Sequence, residues 1–227
     1  MPFPDLVDRV REVQQRIGAA VQRGGHGQTV TVVAVTKTHG PDAVRAAWDA
    51  GLADIGENRV QEALEKMDAI DVPCRWHLIG TLQRNKVKHL TRFHLLQSLD
   101  RPSLADAVQS LGASSSRVFD VLVQVNPAGE QTKGGYAMDA LDAEAARLRT
   151  LDRIRVRGIM AMAPLDAPEP ELRRIFGAAR QARELLRGAG HAHASGLSMG
   201  MSGDYEVAVE EGATHVRLGT VLFGARQ

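Results

Sequence analysis

Lys37 closes a run of small and β-branched residues, TVTVVAVTK at 29–37. A run this apolar reads as a strand buried on both faces, so its last residue brings an amine to the end of a sheet or the mouth of a barrel. Desolvation there disfavours the ammonium and favours the neutral amine that attacks a carbonyl to form a Schiff base. Taken alone, the residue reads more readily as a rim lysine with its stem along the wall and its head in water. A second group is rich in donors: Ser198, Met199, Gly200, Met201, Ser202, Gly203 and Asp204 end one strand pattern, and Gly219 and Thr220 follow the next. Glycines admit close backbone approach and hydroxyls add donors, which suits a phosphate, although a plain loop with a helix cap uses the same residue types. Arg217, two residues before Gly219, can only donate hydrogen bonds.

The elements that must carry these residues alternate. Strand patterns fall at 29–37, 53–57, 75–80, 93–100, 118–126, 154–162, 196–201 and 215–224, with helical patterns at about 4–23, 41–51, 59–67, 104–112, 140–151 and 170–188. Eight strands alternating with helices in one chain predict an α/β fold, a (β/α)8 TIM barrel with an extra N-terminal helix, in a single domain over 1–227. An open doubly wound sheet is the alternative, but no GxGxxG follows the first strand and no GxxxxGK[ST] occurs. Barrel sites form at the C-terminal ends of strands, with phosphate often after the seventh and eighth. Lys37, Glu57, Asn58, His77, Asn126, the 198–202 run and Arg217 all lie near such ends.

A Schiff-base lysine with a phosphate cradle is what pyridoxal 5′-phosphate requires in a barrel mouth. An arginine beside the pyridine nitrogen leaves that nitrogen unprotonated and the ring a poor electron sink, whereas a carboxylate would protonate it. An internal ion pair, for instance with Glu57, is the other reading of Arg217. Composition narrows the class further. The charges balance to +1, so no basic stripe calls for nucleic acid or an anionic membrane. Cys74 is the one cysteine, which excludes a disulfide scaffold and reads as inert packing. No window approaches the ~20 apolar residues of a membrane span, and no signal peptide opens the chain, so a soluble cytoplasmic protein is expected. HAH at 191–193 has no companion ligand for zinc.

The stretches AVTK at 34–37, GENRVQE at 56–62, WHLIGTLQRNK at 76–86, LVQVN at 122–126, GEQTKGG at 129–135, LSMGMSGD at 197–204 and VRLGTVLFG at 216–224 resemble the YggS/PROSC family of pyridoxal phosphate homeostasis proteins, in order and across nearly the whole chain. The resemblance implies a fold-type III barrel like the alanine racemase N-terminal domain. It also implies Lys37 as the cofactor lysine, Arg217 facing the pyridine nitrogen, phosphate held around Ser198, Met199, Ser202, Gly219 and Thr220, and Asn58 and His77 in the cofactor pocket. The chain departs from the family pattern at Thr36, at Gly40 before Pro41, and at Arg59, where an aromatic is usual.

Two functions follow. One is a non-catalytic carrier that buffers the cofactor and delivers it to apo-enzymes through transient contacts, as a monomer. The other is an amino-acid racemase, which needs a base on each face of the substrate carbon. The chain ends at Gln227, leaving no second domain to supply one, and Tyr136 and Tyr205 sit in no catalytic motif, so the carrier is expected. A class I aldolase would place its lysine on the sixth strand, where Met160 and Met162 stand. Lys133 is read as a solvated loop lysine.

Overall fold

The computed structural model describes residues 3–129 and 134–224. Its eight strands are β1 (Thr31–Val35), β2 (Asp54–Glu57), β3 (Arg75–Leu78), β4 (Leu95–Leu99), β5 (Phe119–Gln124), β6 (Ile154–Met160), β7 (Gly196–Ser198) and β8 (His215–Leu218). They form one closed parallel barrel in sequence order. Closure runs from β8 to β1 through Thr31↔His215, Val32↔Val216, Val33↔Arg217 and Ala34↔Leu218. Helices α1 (Leu6–Gly24), α2 (Pro41–Asp49), α3 (Val60–Ala69), α4 (Pro102–Ser115), α5 (Leu141–Leu148), α6 (Glu169–Gly188), α7 (Tyr205–Glu210) and α8 (Thr220–Phe223) surround it, with a 3₁₀ segment at Arg84–Arg92 between β3 and β4. The barrel with its leading helix is therefore the fold expected from the alternation.

Side chains alternate across each strand, so every strand serves two cores. Ala34, Ile55, Leu78, Val121, Val216 and Leu218 face outward into the large core beneath the helices. Leu95, Leu122 and Met160 point inward and plug the barrel, with Met162 above them. Above that plug, toward the strands' C-terminal ends, the barrel opens into a cavity. Helix α1 lies across the closing seam, packing on α7 and α8. Arg9 donates to the Leu222 carbonyl (3.1 Å), and Arg23 pairs with Glu210 (2.6 Å).

Several boundaries differ from expectation, and two of them bear on the site. The eighth strand stops at Leu218, and the apolar TVLF that follows is helix α8 rather than more strand. An apolar run of four carries no period that tells strand from helix. Lys37 lies two residues past the end of β1, in a turn. Among the described residues no helix is long and apolar enough to cross a membrane.

Candidate functional site

A cavity of about 630 Å³ opens at the C-terminal end of the barrel. Lys37, Asn58, Ser202, Arg217, Gly219 and Thr220 all line it, together with Gln124, Met162, Gly203 and Asp204. The tops of β2 and β3 meet there through Gly80, where a Cβ would lie 2.3 Å from the Asn58 carbonyl oxygen, so only glycine fits. After β7 the chain turns through Gly200 at φ 93°. The Gly200 carbonyl then accepts the Arg217 N–H (3.0 Å), fixing the 201–204 loop against β8.

Ser202 Oγ accepts the Val221 N–H (3.2 Å), which ties the loop after β7 to the loop after β8. Among the described residues, no protein acceptor engages the N–H groups of Ser202, Gly203, Gly219 and Thr220. Four such donors and two hydroxyls belong to residues lining one cavity, a donor set suited to an anion with several oxygens. Asp204 turns its carboxylate to the Met201 N–H.

Arg217 forms the floor. Its guanidinium donates to Ser198 Oγ (2.8 Å) and to the Ala161 carbonyl (3.0 Å). Burial pushes its pKa down to about 10, against a small opposing pull from Asp204, so it is charged at neutral pH. The anticipated alternative partner, Glu57, faces the other way: it lies outside the barrel wall and binds Thr36 and Lys66.

Ser198, His77 and Met199 do not line the cavity. Ser198 and His77 share the inward face but sit deeper, in a chain of hydrogen bonds under Arg217. Ser198 Oγ donates to Gln97 Oε1 (2.6 Å), Gln97 Nε2 meets His77 Nδ1 (2.9 Å), and His77 Nε2 meets Asp54 Oδ1 (2.9 Å). A carboxylate only accepts, so the His77 nitrogen facing Asp54 is the one that carries a proton. Burial alone would raise the Asp54 carboxyl, but the bonds from His77 and Arg75 reverse that and hold it well below the usual carboxylate range. Met199 belongs to the other face. Its side chain is buried in the outer core and its N–H is spent on the His215 carbonyl (3.1 Å), so it has nothing to offer a phosphate.

Gln97 and Asp54 were not anticipated as part of the site. Their signals were a lone glutamine in the apolar strand HLLQSL and a carboxylate opening the second strand. Tyr136 donates to Glu144 (2.7 Å), and Tyr205 is buried on α7; neither phenol lines the cavity. Arg59 is exposed before α3 and does not line it either. Burial, then the charge of Asp54, pushes the half-buried Cys74 thiol up to about 11, as suits an inert packing residue. Lys133 lies outside the described residues.

The same interior gives a pH dependence. His215, whose ring faces His77 at 6.4 Å, is held down to about 4 by burial, reinforced by His77 and Arg217 and opposed by Asp54. A histidine with a folded pKa below its unfolded ~6.5 stabilises the fold fully above that value and loses the contribution as pH falls toward the folded one. The loss between pH 7 and pH 5 is about 2 kcal/mol. Urea denaturation at the two pH values should show a smaller drop in His215→Asn than in the parent; equal drops would remove His215 as the cause.

Comparison with known proteins agrees with this architecture. The family model for the alanine racemase N-terminal domain matches residues 10–227. The pyridoxal phosphate homeostasis protein of Aquifex aeolicus (strain VF5) is 42% identical over 224 residues, covering 97% of this chain and 98% of that protein. Among solved structures, PipY of Synechococcus elongatus PCC7942, determined with PLP bound, superposes with a TM-score of 0.85 at 34% identity, covering 96% of this chain and 100% of that one. Alanine racemase from Corynebacterium glutamicum superposes with a TM-score of 0.74 at 17% identity, covering 97% of this chain and 62% of the enzyme, a likeness of fold alone.

Proposed function

Since the chain belongs to the pyridoxal phosphate homeostasis protein family, on the alanine racemase N-terminal-domain barrel, we propose that it holds pyridoxal 5′-phosphate as a Schiff base on Lys37 and passes it reversibly to apo-enzymes. One observation carries the reading. A single cavity gathers an amine, a guanidinium that can only donate, and four backbone donors with no protein acceptor among the described residues.

These groups fit the cofactor part by part. The N–H groups of Ser202, Gly203, Gly219 and Thr220 would hold the phosphate. Arg217 at the floor would donate to the pyridine nitrogen, which it cannot protonate, and Asn58 lies along the wall. Lys37 would supply the amine to which the aldehyde attaches. The cavity volume falls within the range that encloses a small cofactor. The bound group supplies an electrophilic imine and an electron sink, and Arg217 weakens the sink by leaving the ring nitrogen unprotonated.

That weakness favours carriage over carbanion chemistry. So does the position of Tyr136 and Tyr205 away from the cavity, where neither can serve as a second base. The reading includes a cytoplasmic monomer that meets its recipients transiently. Loaded protein mixed with an apo-transaminase should restore transaminase activity while turning over no amino acid itself. Failure to restore activity would overturn the carrier, and sustained stereospecific racemization would put the racemase in its place.

A further inference from the structure

Behind Lys37, on the outer side of the barrel wall, a cluster that is buried at Lys66, Glu57 and Thr36 and opens to solvent at Glu62 and Thr38 grips the backbone on both sides of that residue. Lys66 of α3 is 3% exposed and spends three donor bonds there. They go to the Thr36 carbonyl oxygen (2.7 Å), Glu57 Oε1 (2.6 Å) and Glu62 Oε1 (2.8 Å). Thr36 Oγ donates to the same Glu57 oxygen (2.5 Å), and the Thr38 N–H donates to Glu62 (2.6 Å). The Thr36 carbonyl also accepts the His39 N–H (3.1 Å), closing a four-residue turn with Lys37 and Thr38 at its centre.

Thr38 has φ 69°, and Lys37 is not among the positive-φ residues. Positive φ at the second central residue alone is the type II pattern, where glycine or asparagine is normal and a β-branched side chain is strained. The type I alternative would suit threonine. The two turns differ by a flip of the peptide between Lys37 and Thr38, and that flip would carry the Thr38 N–H away from Glu62. A strained conformation persists only where its surroundings impose it.

We propose that Glu62, held in place by Lys66, is a positioning residue for Lys37: by accepting the Thr38 N–H it locks the turn in its strained form and fixes how Lys37 enters the cavity. The inference rests on Lys37 being the attachment point, but its first readout needs no cofactor. In cofactor-free protein, hydrogen exchange of the Thr38 amide followed by NMR should quicken about tenfold in Glu62→Ala, the scale of one strained backbone residue released. Cofactor should also leave this variant about tenfold faster than the parent. Glycine accepts positive φ freely, so Thr38→Gly removes the need for the lock. In that background, Glu62→Ala should speed cofactor loss less than about threefold.

Unchanged Thr38 exchange in Glu62→Ala, or an undiminished effect of that change in the Thr38→Gly background, overturns the inference. If the parent binds no cofactor, the proposed function fails while the exchange result still judges the turn. Should Glu62→Ala not fold, Glu62→Gln takes its place. It keeps an acceptor oxygen and should hold Thr38 exchange within about threefold of the parent; a larger rise overturns the assignment of the acceptor.

Discussion

Lys37→Ala is expected to abolish covalent retention of pyridoxal 5′-phosphate while leaving the barrel folded. Borohydride reduction of the loaded parent should fix one cofactor on Lys37, read as added mass on the peptide that contains it. The variant should carry none. The remaining cradle and Arg217 would still bind the cofactor, but it should dissociate about a hundredfold faster, because the bound aldehyde no longer has an amine held beside it. Stability should change by less than about 1 kcal/mol, since Lys37 lines a cavity rather than filling a core. The other amine close to this turn is no substitute. Lys66 is on the far side of the wall with its donors committed to Thr36, Glu57 and Glu62. A reducible adduct that persists in Lys37→Ala would therefore remove Lys37 from its role.

Lys37, Asn58, Ser202, Arg217, Gly219 and Thr220 were legible from sequence because each lies close to a strand end, and alternation with barrel topology says where such ends gather. Depth along the barrel was not legible. Ser198 shares its face with Gly200, and His77 with Ile79, yet a two-residue step separates the cavity wall from the plug beneath it. The motif LSMGMSGD merges Met199 with its neighbours although it points to the opposite face. Nor could spacing reveal the chain from Arg217 to Asp54. Its links join residues far apart in sequence, and Ser198 and Gln97 meet only because strands four and seven face each other across a closed barrel. The same holds for the grip on the turn: Lys66 and Glu62 read as an ordinary helix pair, and their reach back to Thr36 and Thr38 appears only once α3 is packed on the wall.

Arg217→Met is expected to move stability and binding in opposite directions. The side chain is buried apart from the face it turns to the cavity, and among the described residues no carboxylate forms an ion pair with it. Burial pulls its pKa from 12.5 down to about 10, so keeping the charge costs the folded chain on the order of 3 kcal/mol. Methionine fills similar volume and relieves that penalty. It leaves Ser198 Oγ and the Ala161 carbonyl without their donor, a loss of about 1 kcal/mol each. The cofactor-free variant should thus be more stable than the parent by about 1 kcal/mol, seen as a higher urea midpoint at unchanged slope. Cofactor should leave it roughly 10- to 100-fold faster, the worth of one hydrogen bond from a charged donor to the ring nitrogen. A residue kept at a cost to the fold and needed for the ligand is a functional residue. Should the cofactor-free variant lose several kcal/mol instead, Arg217 is a structural anchor of the Ser198–Gln97–His77–Asp54 chain, and the ring nitrogen must find its donor elsewhere.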